Sequence, residues 1–162
     1  MQILNIDTAV DIITLSKDFH DITEYNSNNL CNKLIFNDET YNDNYIKIKG
    51  YLSFSDKMNG LKRGKNYIYT YEVDSLKLCH LGYLGEFIND NLISVLKDAD
   101  ILFAPIGGNL CLNGSEAFKL LKLLNPKYII PMCYKYNDSD FYFSGPLDYI
   151  SKCQSIIFSS SY

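Results

Sequence analysis

The chain has 162 residues, is 47% hydrophobic, and carries 15 basic against 19 acidic side chains for a net charge of -4. This suits a single domain, residues 1–162, with a sizeable core; the scattered basic residues exclude the usual electrostatic footprint of a nucleic-acid or anionic-membrane binder. No apolar run reaches the roughly 20 residues a bilayer span needs, and no basic region followed by an apolar core opens the chain, so a soluble cytoplasmic protein is expected.

In chain order, the β-branched run Val10 to Leu15 reads as a buried strand. It leads into a polar, charged stretch, Ser16 to Ile22, and a short helix is expected over Ile22 to Asn29. The Asn-, Asp- and Ser-rich segment from Asn26 to Asn44 reads as loop, interrupted by a strand at Lys33 to Phe36. Ile46 to Phe54 alternates around Gly50 and reads as two strand pieces joined by a turn or bulge. Ser55 to Asn66 is a long polar loop, of the kind that lines a site or moves.

Tyr67 to Val73 and Leu76 to His80 are period-2 runs separated by Asp74-Ser75, the pattern of a β-hairpin. A Gly-rich corner (Leu81 to Gly85), a helix over Asn89 to Lys97 and a buried strand, Ile101 to Pro105, follow. Ser115 to Leu124 is the clearest helix, capped by Asn113 or Ser115 and stopped at Asn125-Pro126. Lys127 to Pro131 reads as a strand, Asp138 to Phe143 as loop, Pro146 to Lys152 as a short helix with Pro at its first turn, and Ser155 to Phe158 as a last strand. Repeated strand, helix, strand after a mostly antiparallel first half points to a layered α/β fold.

The five cysteines (Cys31, Cys79, Cys111, Cys133, Cys153) form no CxxC pair and read as reduced core thiols. The glycines at 82, 85, 107 and 108 belong to tight turns, since no phosphate-cradling motif contains them. Neither Ser16 nor Ser115 has a His and an Asp arranged in sequence for a triad.

Arg63-Gly64-Lys65-Asn66, His80-Leu81-Gly82, Asp100-Ile101-Leu102, Pro105-Ile106-Gly107-Gly108 and Pro126 to Met132 stand in the order of successive landmarks of one superfamily. From about Asp11 to Tyr134 the chain resembles the metallo-β-lactamase-fold hydrolases, in particular the branch of ascorbate-6-phosphate lactonase-like and related metal-dependent hydrolases. The resemblance implies an αββα sandwich with one or two metal ions at the strand ends. There His nitrogens and carboxylate oxygens hold the metal and leave a position for a water that becomes the nucleophile.

The matching positions depart from that pattern. The family's first motif, Thr-His-x-His-x-Asp-His, laid on Ser16 to Ile22 puts Lys17, Phe19 and Ile22 where histidines belong and keeps only Asp21. A Phe-His-Asp landmark becomes Phe54-Ser55-Asp56, the aspartate of His-Leu-Gly-Asp becomes Tyr83, and the histidine of Pro-Met-His becomes Cys133. The vestigial positions are therefore Lys17, Phe19, Asp21, Ile22, Ser55, Tyr83 and Cys133. Lys17 is expected to take the place of a divalent ion and pair with Asp21 and Asp56. Tyr83 is expected to fill the vacated pocket, Cys133 to be a core thiol and His80 to be structural.

The family also places a hairpin before its first metal motif, whereas this chain starts at Met1 almost on top of that motif. An N-terminally truncated member is expected, with a shortened first sheet whose edge a homo-oligomer or protein partner covers. The leading expectation is a degenerate relative without catalytic residues or cofactor, acting as a binding or assembly module. The alternative is a metal-dependent hydrolase that holds zinc or manganese weakly in a site rebuilt from Asp18, His20, Asp21, Asp56 and Cys133.

Overall fold

The computed structural model describes residues 10–17, 31–136 and 142–159. Strands β1 (Val10–Thr14) and β2 (Cys31–Ile35) pair in parallel as a small sheet. Strands β3 (Thr40–Asn42), β4 (Ile46–Phe54), β5 (Lys65–Val73), β6 (Leu76–His80), β7 (Ile101–Pro105) and β8 (Tyr128–Met132) form a second sheet in that order. Its pairing is antiparallel from β3 to β6 and parallel from β6 to β8. Helices α1 (Asp90–Leu96) and α2 (Gly114–Leu124) make the two parallel crossovers, and α3 (Leu147–Ser159) follows β8.

Because successive residues of a strand face opposite sides, β5 serves two cores at once. Ile68 joins Cys79, Leu102 and the helix residues Leu96, Leu120 and Leu124 in the larger core, between the sheet and the helices. Its neighbour Tyr69 points the other way and packs with Ile35 and Ile48 between the two sheets. The Tyr69 hydroxyl donates to the carbonyls of Leu15 (3.1 Å) and Ile35 (3.2 Å), which ties the small sheet to the large one. Helix, sheet and sheet thus stack in the order expected of the α/β sandwich.

Local chemistry sets the helix ends. Asn113 and Glu116 form a reciprocal capping box at the start of α2, and Asn125 ends the helix in a left-handed conformation (φ 49°). Ala117, Leu120, Leu121 and Leu124 then fall on one buried stripe. Burying each of those leucines is worth roughly 1.5–3 kcal/mol before entropy is counted. At the hairpin, Asp74 (φ 49°) and Ser75 (φ 63°) both adopt the left-handed backbone of a type I′ turn.

The structure corrects several readings of the sequence. Residues 46–54 are one nine-residue strand rather than two pieces. Gly50 lies inside it because a Cβ there would stand 2.1 Å from the Asn37 carbonyl oxygen, so the glycine answers a close approach, not a bulge. The expected last strand, 155–158, is part of α3. Thr40–Asn42, read as loop, is a short strand held by β4. Val10–Thr14 is half-buried rather than buried. The helix expected over Ile22 to Asn29 lies outside the described residues. No helix among the described residues is long and apolar enough to cross a membrane.

Replacing Gly50 by Ala is expected to destabilise the protein by about 1–3 kcal/mol, the usual effect of forcing a methyl into a filled space. Urea unfolding measures it, and an unchanged midpoint would mean that the 37–39 loop does not press on β4.

Candidate functional site

The carboxyl ends of β1, β4, β6, β7 and β8 lie at one end of the sandwich, and the loops that leave them are joined by a continuous set of contacts. Tyr67 N–H donates to the Ser16 carbonyl (2.7 Å), Gly85 N–H to the Phe54 carbonyl (2.9 Å) and Leu112 N–H to the Leu84 carbonyl (2.7 Å). Ile106 N–H reaches the Met132 carbonyl (3.1 Å), which brings the turn after β8 into the same group. Gly85 has no room for a side chain, since a Cβ would lie 2.0 Å from the Ser55 carbonyl oxygen.

Two polar side chains fix this end. Asn66 has no exposed surface; its Nδ2 donates to Ser53 Oγ (2.8 Å) and the Leu81 carbonyl (3.0 Å), and its Oδ1 accepts from Tyr83 N–H (2.7 Å). Asp56 organises the loop after β4. Its Oδ1 accepts from the N–H groups of Met58 (2.7 Å) and Gly60 (3.1 Å), and its Oδ2 from those of Lys62 (3.1 Å) and Arg63 (2.7 Å). Burial works to raise the Asp56 carboxyl, but the four N–H donors together outweigh it and hold the group below its ordinary range.

The remaining groups are arranged around these two. Lys17 donates from Nζ to the Arg63 carbonyl. Burial and then the charge of Arg63 lower its pKa, while Asp56 pulls it partly back. Asp56 therefore acts on Lys17 electrostatically, but its two oxygens are already engaged by the loop. Ser55 is wholly buried and its Oγ has no hydrogen-bond partner among the described residues. Tyr83 is half-buried and stacks on Phe143 at 6.4 Å between ring centroids. Cys133 is half-buried in a left-handed backbone conformation (φ 53°). Phe19, Asp21 and Ile22, with Asp18 and His20, lie outside the described residues.

His80 does hold a structural position. Its Nδ1 accepts from Gly82 N–H (3.1 Å) and lies 3.4 Å from Ser16 Oγ, so the neutral ring carries its proton on Nε2. Phe103 packs against the ring at 5.7 Å. Cys79 and Cys111 are buried thiols whose pKa burial pushes up to about 11, as expected of core cysteines. Glu86 and Asn66 carry tasks the sequence reading did not assign. Glu86 accepts from Phe54 N–H (2.9 Å), and burial, opposed by that hydrogen bond and assisted by the charge of Asp56, raises its pKa.

A profile of the Beta-lactamase superfamily domain matches residues 2–133, most of the chain. The chain belongs to this family. Among its relatives in this superfamily, a protein of Carboxydothermus hydrogenoformans named UPF0173 metal-dependent hydrolase is 44% identical over 57 residues, 35% of this chain and 25% of that protein. A protein of the same name from Pyrobaculum islandicum is 34% identical over 77 residues, 48% of this chain and 33% of that one. The aligned stretches therefore span only a third or less of those two relatives. A crystal structure from Thermotoga maritima, whose name places it among the Zn-dependent hydrolases of the metallo-β-lactamase superfamily, superposes with a TM-score of 0.72 at 29% identity and covers 90% of this chain and 70% of that one. The metallo hydrolase Igni18 of Ignicoccus hospitalis, at 15% identity and a TM-score of 0.65 over 90% of this chain and 72% of that one, shares the fold.

The superfamily implies a metal at these strand ends, and the described residues do not fit one. No three His, Cys, Asp or Glu side chains gather among them. The matched positions offer a lysine cation, a sealed serine hydroxyl, a stacked phenol and one cysteine, where a catalytic zinc takes about three strong protein donors. Asp56, although a carboxylate, has spent both oxygens on backbone N–H groups.

Burial disfavours the imidazolium of His80, so its pKa in the folded protein lies below the ordinary value of 6.5. The unfolded chain takes up a proton that the fold resists. The resulting stability is complete above the unfolded pKa and is lost as pH falls through it. Unfolding free energy measured from about pH 7.5 to 5.5 is expected to fall more steeply in the wild type than in His80→Asn, which keeps an acceptor for Gly82 N–H. Equal slopes would show that His80 is not protected from protonation.

Proposed function

We propose that this chain is a member of the superfamily in which the metal centre has been given up, and that it acts as a non-catalytic binding or assembly module. One observation carries the reading: the positions matched to ligands hold Lys17, Ser55, Tyr83 and Cys133, while Asn66 fixes the corner at Tyr83 and Asp56 the loop that follows Ser55. An ammonium repels a divalent ion and a neutral hydroxyl is a weak donor to it, so Lys17 and Ser55 do not supply the strong donors that a zinc takes. The scaffold that presents the site is nevertheless intact, and such a scaffold supports binding without chemistry.

Support for the assembly side of this proposal comes from β8. It is the last strand of the large sheet among the described residues, and it carries the exposed side chains Tyr128 and Ile130. Residues 128 and 132 direct their main-chain groups at β7, through Tyr128 N–H to the Asp100 carbonyl and Ile106 N–H to the Met132 carbonyl. By alternation Pro131 faces outward, where it removes one main-chain donor from the edge. A partner covering β8, a second copy or another protein, would accordingly meet apolar side chains more than a full hydrogen-bonding ladder.

Elemental analysis of protein purified without chelator tests the reading, together with assays on lactones and phosphoesters. The expected result is substoichiometric zinc, manganese and iron, and no hydrolysis above background. Near-stoichiometric metal, with activity that disappears in Asp21→Ala or Cys133→Ser, would overturn it in favour of a hydrolase whose site is rebuilt from Asp18, His20, Asp21, Asp56 and Cys133.

A further inference from the structure

Strand β8 carries no charged side chain, and β7 is its only neighbour among the described residues. An apolar edge without a guarding charge is a surface that another strand can pair with. Its main-chain groups divide by alternation. Tyr128, Ile130 and Met132 turn theirs toward β7, as the bonds at the two ends of the strand show. Ile129 and Pro131 turn theirs outward, and of these two only Ile129 has an N–H. The free edge therefore presents one donor, with an acceptor on the same residue.

That edge is complementary to itself. In an antiparallel pair, two residues standing directly opposite each other exchange both of their N–H···O bonds. With Ile129 opposite the same residue of a second copy, two such bonds close about a two-fold axis and no outward donor of β8 is left over. Pro131 then stands opposite Lys127, whose own N–H already donates to the Ala99 carbonyl at 2.9 Å, so the missing proline donor costs nothing there. Sliding the pair by two residues instead sets Pro131 against Ile129 and leaves the Ile129 carbonyl without a donor.

The side chains suit the same register. Ile129 packs on the core beneath the helices, so Tyr128 and Ile130 lie on the opposite face of the sheet. They are 69% and 43% exposed in the single chain. Centring the pair on Ile129 puts Tyr128 of each copy directly opposite Ile130 of the other, twice over, and an aromatic ring against a β-branched side chain is a favourable cross-strand pair. The half-buried Ile101 and Phe103 of β7, register neighbours of Tyr128 and Ile130, extend this apolar strip inward.

We propose that β8 pairs antiparallel with β8 of a second copy of this chain, centred on Ile129, so that the two large sheets become one. The inference rests on the assembly side of the proposed function and names its partner. Because the contact is two-fold, it consumes the same edge on both copies and stops at the dimer.

Sedimentation velocity of the purified chain across micromolar concentrations tests it. A monomer–dimer equilibrium with no larger species is expected. Ile130→Lys and Tyr128→Lys each set a cation against an apolar side chain of the other copy and are expected to weaken association by about tenfold or more. Leu52→Lys, which changes a side chain as exposed as Ile130 but on β4, is expected to associate as the wild type does. Circular dichroism verifies that each variant folds. A wild type that stays monomeric, a species larger than the dimer, or β8 variants that associate as the wild type does would each overturn the proposal. The metal content of the same preparation keeps the two readings apart. A metal-free monomer would overturn the dimer alone, whereas near-stoichiometric metal in a dimer that Ile130→Lys dissociates would support the interface and overturn the metal-free reading.

Discussion

Asn66 is a fully buried amide whose two donors and one acceptor are all used within one junction. Ser53 Oγ accepts from its Nδ2 and donates to its carbonyl oxygen at 3.2 Å, so strands β4 and β5 are locked side by side just where both reach the loop end. The Leu81 carbonyl and Tyr83 N–H are fixed by the same side chain, which sets the corner after β6. Each of those buried groups, left without its partner, would carry a desolvation penalty of about 1–3 kcal/mol. The junction therefore has one favourable geometry, which sets the ends of β4 and β5 and the corner after β6.

Asp56 does for the neighbouring loop what Asn66 does for the corner. A loop of ten residues, 55–64, would ordinarily be free to move. Here four N–H groups converge on one carboxylate, and Gly64 N–H closes back on the Gly60 carbonyl at 2.8 Å. The loop and the corner are thus each organised by a polar side chain of the protein, Asp56 and Asn66, beside the positions of Ser55 and Tyr83.

Much of the architecture was legible because it is written in local patterns. A cap at Asn113 or Ser115, apolar residues at helical spacing and the stop at Asn125-Pro126 announce α2, and the Asp74-Ser75 break announces the hairpin. Where local pattern is ambiguous the reading failed. Ile156-Ile157-Phe158 is a short apolar run that suits a strand as well as a helix, and continuity with Leu147 decided for the helix. Gly50 looked like an interruption because its reason, the Asn37 carbonyl, is distant in sequence. Of the candidate site, the sequence showed which residue types stand at the positions matched to the superfamily's motifs. The tasks of Asn66 and Asp56 depend on groups that the fold brings together, and although Asn66 ends the Arg63 to Asn66 landmark, its partners Ser53, Leu81 and Tyr83 are not apparent from the sequence.

On the proposed reading, Asn66 and Asp56 hold the loop end without a metal ion. Hydrogen exchange at the amides of Met58, Gly60, Lys62, Arg63 and Tyr83, measured in chelator and again with added zinc, tests it most directly. Strong protection at all five in chelator, unchanged by zinc, is the expected result. Rapid exchange in chelator, with protection appearing only when zinc is supplied, would contradict it.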